Sequence, residues 1–141
     1  MSSVDELLSR ILKNTRSIAL VGASPNPARP SYQVMEYLQQ QGYRVIPVNP
    51  EQTGNTILGE TCLAQLTDIS EPVDMVDVFR RSEFTPEIAS EAVAIGAKYL
   101  WLQLGVINEQ AASIARSAGL DVVMNCCPKI EYPRLLISRS S

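Results

Sequence analysis

Five short apolar runs, separated by segments of helical period, restrict the folds open to this chain more than any other feature. The runs are residues 17–22 (Ser-Ile-Ala-Leu-Val-Gly), 44–49 (Arg-Val-Ile-Pro-Val-Asn), 73–79, 99–104 and 120–124. Each is apolar without strict polar alternation, the pattern of a strand covered on both faces. Between them apolar residues recur at helical spacing: Val34, Met35 and Leu38, then Ile88, Ala89, Ala92 and Val93, then Ala111, Ala112, Ile114 and Ala115. Strands alternating with helices specify parallel pairing through right-handed crossovers. The expected fold is therefore α/β, a three-layer Rossmann-like arrangement with a five-stranded parallel sheet and helices on both faces. The expected strand order is 3-2-1-4-5.

Local signals set the boundaries. Val4, Leu7, Leu8, Ile11 and Leu12 predict an amphipathic helix over 4–13, preceded by Ser2 and Ser3. Residues 23–30 hold three prolines and read as a loop, after which Ser31 is expected to cap the next helix. Gly42 and Gly119 stop helices, Pro86 opens one and Asn108 caps another. Residues 50–71 read as irregular, and the tail beyond Leu136 as frayed. With no linker or internal repeat, residues 1–141 are expected to form one domain, with a core over about 15–133.

Several function classes lose their basis in the composition. The net charge is −3 and the basic residues are scattered, which argues against a nucleic-acid partner. No basic-then-apolar leader and no run of membrane-spanning length are present, so the expected setting is cytoplasmic, with no membrane association. The three cysteines, Cys62, Cys126 and Cys127, are odd in number and two are neighbours, so no disulfide framework is expected. There is no histidine, which removes the commonest general base, the usual nucleophile triads and most zinc or haem ligation. No catalytic residue and no metal ligand is assigned.

In sheets of this kind, ligands sit beyond the carboxyl ends of the strands at the switch point, expected here where the first and fourth strands diverge. A dinucleotide site there needs a Gly-x-Gly-x-x-Gly turn and an acid ending the second strand. Only Gly22 fits the first requirement, and Asn49-Pro50 stands in place of the acid. An NAD(P)-binding oxidoreductase, which the fold alone suggests, is thereby disfavoured. What remains is a proline-stiffened loop with Ser24, Arg29, Ser31 and Tyr32 leading into a helix amino end, suited to a phosphorylated small molecule with Arg29 as its cation. Plainer roles stand beside these: Ser24 satisfying loop backbone, Ser31 only capping, Phe79 and Tyr32 in the core, and Arg80 or Arg81 solvated. Trp101 is assigned to the core.

The segments Val21-Gly22-Ala23-Ser24-Pro25-Asn26-Pro27 with Arg29 and Ser31-Tyr32, Pro47-Val48-Asn49-Pro50, Val76-Asp77-Val78-Phe79-Arg80 and Trp101-Leu102-Gln103-Leu104-Gly105 together resemble a known family. It is the coenzyme A-binding domains related to the amino-terminal domain of the succinyl-CoA synthetase α-subunit. The resemblance covers roughly residues 15–133 and implies coenzyme A (CoA) or an acyl-CoA as the bound small molecule, without evident catalysis. It implies that the loop from Ser24 to Tyr32, with Arg29 and Ser31, holds the phosphates and that the Asn49-Pro50 edge lies by the adenosine. Gln103, Leu104 and Gly105 flank the pantetheine path, and Gly22, Ala23, Phe79, Arg80 and Asn125 complete the candidate cofactor-binding set. Members commonly read Val-Met-Asp-Arg-Cys after the fifth strand, whereas this chain reads Val123-Met124-Asn125-Cys126-Cys127. A ligase role needs a phosphorylated histidine, which the chain lacks. A redox reading, in which Cys126 or Cys127 forms a mixed disulfide with the CoA thiol, is the remaining alternative. No protein partner is indicated.

Overall fold

A computed structural model describes residues 2–137. Its elements are α1 (Ser3–Asn14), β1 (Ser17–Val21), α2 (Pro30–Gln40), β2 (Arg44–Val48), β3 (Thr56–Ile57), β4 (Glu60–Thr61), β5 (Met75–Val78), α3 (Thr85–Ala94), β6 (Tyr99–Leu102), α4 (Glu109–Ser117), β7 (Asp121–Val123) and α5 (Pro128–Arg134). The expected α/β architecture is present: β1, β2, β5, β6 and β7 form one sheet whose pairings are all parallel. The five expected strands correspond to these five in turn.

The side-chain period of a strand divides the core in two. Ile18 and Leu20 of β1, Met75 of β5 and Trp101 of β6 face α1, α2 and α5, meeting Leu8, Ile11, Leu12, Met35, Leu38 and Tyr132. Ala19, Val21, Val76, Val78, Leu100 and Leu102 face the other way, onto Ile88, Ala89 and Ala92 of α3 and Ala111, Ala112 and Ala115 of α4. The alanine stripes let those two helices lie close to the sheet. Each fully buried large apolar side chain, such as Trp101 or Met35, contributes about 2–3 kcal/mol relative to exposure.

The strand order is β2-β1-β5-β6-β7, that is 2-1-3-4-5 rather than the expected 3-2-1-4-5. The third strand lies beside the first, and the second is the edge. Pro47 supplies the physical reason. It points its backbone away from β1, and a residue without an N–H leaves a gap in any ladder on that side, which confines it to an edge strand. The outer side of β2 is covered instead by Leu63, which donates to the Pro47 carbonyl at 3.0 Å and accepts from the Asn49 N–H at 2.8 Å. Residues 50–71, read as irregular, thus include the small β3–β4 hairpin that leads the chain to this covering position.

Two further readings change. Arg29 is the N-cap of α2, Pro30 occupies the first turn, and Ser31 lies one residue inside the helix rather than capping it. Proline at that place loses only an N–H that had no partner in any case, so the helix starts there without a side-chain cap. The second is α5, which the sequence left in the tail. It begins at Pro128 and is tied to α1 by Arg134, whose guanidinium meets Asp5 at 2.6 Å and Glu131 at 2.9 Å. The frayed tail expected beyond Leu136 falls mostly on residues 138–141, outside the described residues.

Candidate functional site

Because the third strand sits beside the first, the switch point lies between β1 and β5 and not between the first and fourth strands. The two strands end in step: Gly22 donates to the Val48 carbonyl at 2.9 Å, and Phe79 donates to the Val21 carbonyl at 2.8 Å. Gly22 has φ +91°, and a Cβ placed on it would stand 2.3 Å from the Phe79 carbonyl oxygen. Only glycine permits this closure, and its bare backbone leaves room above it.

Above that closure opens a cavity of about 610 Å³. Gly22, Ala23, Ser24, Arg29 and Ser31 line it from the β1–α2 side, Asn49 and Pro50 from the end of β2, and Phe79 and Arg80 from the end of β5. These are nine of the fourteen positions singled out in the sequence. Pro30, Glu51, Gln52 and Arg81 also line it and were not singled out. Arg81 carried a signal, its adjacency to Arg80. Glu51 and Gln52 had none, since they enter through a single 3-10 turn, Pro50–Gln52, that Asn49 caps.

The loop is stiffened from within. Ser24 Oγ accepts the Asn26 N–H at 3.1 Å, Asn26 Oδ1 accepts the Ala28 N–H at 3.0 Å, and Gln33 Nε2 donates to the Pro27 carbonyl at 3.2 Å. Asn49 ties the loop to β2: its Nδ2 donates to the Ala23 carbonyl at 2.9 Å while its Oδ1 accepts the Glu51 N–H. Its role in this structure is to hold the rim, since both ends of its amide are occupied.

The electrostatics favour an anion. The amino end of α2 presents the Ser31 N–H and the positive end of the helix dipole; Pro30 has no N–H, and those of Arg29, Tyr32 and Gln33 already donate to the Asn26 and Arg29 carbonyls, while Ser31 itself is buried. Arg29, Arg80 and Arg81 bring three cations against one carboxylate, Glu51. Among the described residues Arg29 and Arg80 enter no ion pair. Arg80 lies 4.9 Å over the Phe84 ring, which orients it without neutralising it.

The remaining positions fall elsewhere. Tyr32 packs partly buried against the α1, α2 and α5 core. Gln103, Leu104, Gly105 and Asn125 form an adjacent pair of turns. Gly105, at φ +79°, follows exposed Leu104, and its N–H donates to Asn125 Oδ1 at 2.8 Å. Asn125 itself has φ +58°, the left-handed conformation that asparagine and aspartate tolerate best after glycine. Asparagine in place of the family's usual aspartate therefore keeps both the backbone conformation and the acceptor. We expect Asn125→Ala to lose about 1–2 kcal/mol in urea denaturation, and Asn125→Asp to stay near the parent.

Trp101 is fully buried as expected, and its Nε1 donates to the Cys126 carbonyl at 2.9 Å. Cys126 and Cys127 lie outside the cavity lining, and burial with Glu131 nearby pushes the Cys126 thiol up, away from the reactive thiolate. A redox role for this pair thus gains nothing from the site. A second cavity of about 440 Å³ opens on the other side of Pro50 and Arg80, with Val48, Leu66 and Ile88 as an apolar floor and Gln65, Glu87 and Glu91 at its edge.

Asp77, in the middle of β5, is a buried group that sequence reasoning passed over. It is 0% exposed, and neither carboxylate oxygen has a hydrogen-bond partner. Burial drives its carboxyl well above the ordinary range, which favours the protonated acid. The unfolded chain releases this proton near pH 4, whereas the folded chain keeps it, so the folded state binds more protons as pH rises above that point. Stability should fall with pH through that window by about 1.4 kcal/mol per unit and level off once the folded group ionises. Asp77→Asn should flatten the slope, checked by urea denaturation at pH 4 to 8.

A parallel sheet whose switch point opens onto a cationic cavity at a helix amino end defines a class of α/β domain with an anion-suited edge. Comparison with known proteins narrows the class. A family model described as a CoA binding domain matches residues 16–133, and this chain belongs to that family. It is 38% identical over 125 residues to the uncharacterized protein YneT of Bacillus subtilis, covering 89% of this chain and 91% of YneT. A solved structure titled a hypothetical protein from Pyrococcus horikoshii OT3 superposes with a TM-score of 0.88 at 41% identity, covering 94% of this chain and 92% of that one. The chain is also 31% identical over 85 residues to acetate–CoA ligase [ADP-forming] II of Archaeoglobus fulgidus, where the match covers 59% of this chain and 12% of the ligase.

Proposed function

We propose that residues 1–141 act as one cytoplasmic unit that binds CoA or an acyl-CoA reversibly, without catalysis. The observation that carries this reading is the cavity between the Gly22 turn and the amino end of α2, facing Arg29, Arg80 and Arg81. A diphosphate seated there accepts from the Ser31 N–H at the helix start and takes charge-assisted bonds from Arg29. The adjoining cavity suits the adenine base, whose flat faces lie against Val48, Leu66 and Ile88 and whose polar edge meets Gln65 and Glu91. The pantetheine arm then leaves over Phe79 toward Gln103, Leu104, Gly105 and Asn125. The chain has no histidine to carry a phosphoryl group or act as an imidazole base, which supports a holding rather than a reacting role.

Calorimetric titration with CoA tests the reading. One-site binding in the micromolar range is expected, and added NADH should not compete. Absence of heat with CoA, or displacement of CoA by NADH at similar concentration, would overturn it.

A further inference from the structure

Asp77 and Gln103 carry the most informative unmet chemistry in the molecule. Among the described residues, the buried side-chain atoms without a hydrogen-bond partner are both carboxylate oxygens of Asp77 and Oε1 of Gln103. Native interiors rarely leave such atoms unpaired unless they serve a function or meet a partner.

The register places the two together. Asp77 is level with Leu20 on one side and Trp101 on the other, and Gln103 follows Trp101 by two residues. Gln103 continues the ladder by donating its N–H to the Val78 carbonyl at 3.2 Å. Met75 and Trp101 face the α1, α2 and α5 side, so by the period of two Asp77 and Gln103 face it as well. They are diagonal neighbours on adjacent strands, a separation that a long side chain spans. Phe79 lies between Asp77 and the cavity. Gln103 lies outside the cavity lining, at the carboxyl end of β6 beside exposed Leu104, where the proposed ligand arm passes.

The atoms match as donor and acceptor. A carboxylic acid offers one O–H, and an amide oxygen accepts one. The Gln103 Nε2, which makes no hydrogen bond within the protein, is not enclosed as its Oε1 is.

We propose that Asp77 is a positioning residue: its acid proton, given directly or through one water to Gln103 Oε1, fixes the amide with its N–H₂ toward the cleft, where it donates to a carbonyl of the bound arm. The inference rests on the CoA reading, because the pantetheine amides and an acyl thioester supply such carbonyls. Ionised Asp77 would accept instead of donate, so it would draw the Gln103 N–H₂ inward and turn the oxygen toward the ligand.

Burial raises the Asp77 carboxyl well above its ordinary value. The tyrosines and cysteines of the core cluster on its face are Cys62, Cys127, Tyr43, Tyr99 and Tyr132, with Tyr32, Tyr37 and Cys126 partly buried at its margin. Glu131 and Arg134 of α5 act on Cys126 at that margin, whereas burial is the one cause of the rise at Asp77. The ligand's terminal phosphate titrates near pH 6 in any variant, so Asp77→Asn, whose amide still donates to Oε1, gives the baseline.

Two arms test the proposal. In the free protein, NMR should show the Gln103 side-chain N–H₂ signals moving with the same midpoint as the Asp77 carboxyl carbon, and staying still in Asp77→Asn. Signals that ignore the Asp77 titration overturn the coupling. With CoA, below the Asp77 midpoint that the NMR titration finds, Asp77→Leu should bind about tenfold more weakly than the parent, whereas Asp77→Asn should match the parent. Above the Asp77 midpoint the parent alone should lose affinity. Parent-like binding by Asp77→Leu, or loss in Asp77→Asn equal to that in Asp77→Leu, overturns the positioning role. A parent protein that does not bind CoA refutes the CoA reading, and the free-protein NMR arm then decides the Asp77–Gln103 pairing separately.

Discussion

Gly22→Ala is expected to destabilise the protein by about 3 kcal/mol or more, placing it among the most damaging single-methyl additions the chain can receive. Two costs add at one position. The residue is held at φ +91°, a conformation that costs a side-chain-bearing residue about 1–2 kcal/mol. The added Cβ would also press to 2.3 Å from the Phe79 carbonyl oxygen and 2.9 Å from its carbon. Those are backbone atoms at the end of β5, which pairs with β1 on one side and β6 on the other, so they cannot swing aside as a flexible side chain would. Relief requires β1 and β5 to part at their carboxyl ends, which is the floor of the cavity. Urea denaturation should show the loss of stability, and CoA affinity measured well below the melting temperature should fall as well. A variant with parent-like stability would mean that the two strand ends are not closed as described.

Arg29→Glu is expected to produce the opposite profile, with stability kept and affinity lost. The side chain is exposed, and it enters no ion pair among the described residues, so folding should change by no more than about 0.5 kcal/mol. A diphosphate at the amino end of α2 would lose a charge-assisted hydrogen bond and gain a repelling carboxylate. The combined effect on CoA affinity should reach about a hundredfold. Arg29→Lys should fall between the two, because an ammonium keeps the charge but lacks the planar fork. The affinity of the parent should weaken with salt more steeply than that of Arg29→Glu. Equal affinities would remove Arg29 from the site.

The layering was legible in the sequence because burial on both faces of a parallel sheet leaves continuous apolar runs, and all five appear as strands near their expected bounds. The strand order was misassigned, although Pro47 carried the information: a proline within an apolar run marks an edge, and placing the second strand at the edge leaves the third to pair with the first. Ser31 was taken for a cap because serine favours that place, but Pro30 can occupy the first turn before it. The short α5 escaped notice because its seven residues contain Pro133 and its anchor, Asp5, is 129 residues away. No local pattern reports a contact of that span.

The site was legible where residue type and backbone chemistry coincide. Gly22, the prolines and Arg29 signal a stiff anion-facing turn from sequence alone. Glu51 and Gln52 reach the cavity only through the fold of a 3-10 turn and bear no local signature. Asp77 stands within the Val76–Arg80 segment that carries the family resemblance, yet its isolation from any partner depends on the closed packing of α1, α2 and α5 over the sheet. Asn125, read as a departure from the family's usual aspartate, keeps the two features that the turn needs, tolerance of positive φ and an oxygen for Gly105.

A crystal structure of the protein with CoA measures the central claim most directly. The account predicts the diphosphate between the Gly22 turn and the first turn of α2, within hydrogen-bond reach of the Ser31 N–H and the Arg29 guanidinium. A diphosphate lying at the amino end of another helix, or CoA held wholly outside this cavity, would contradict it.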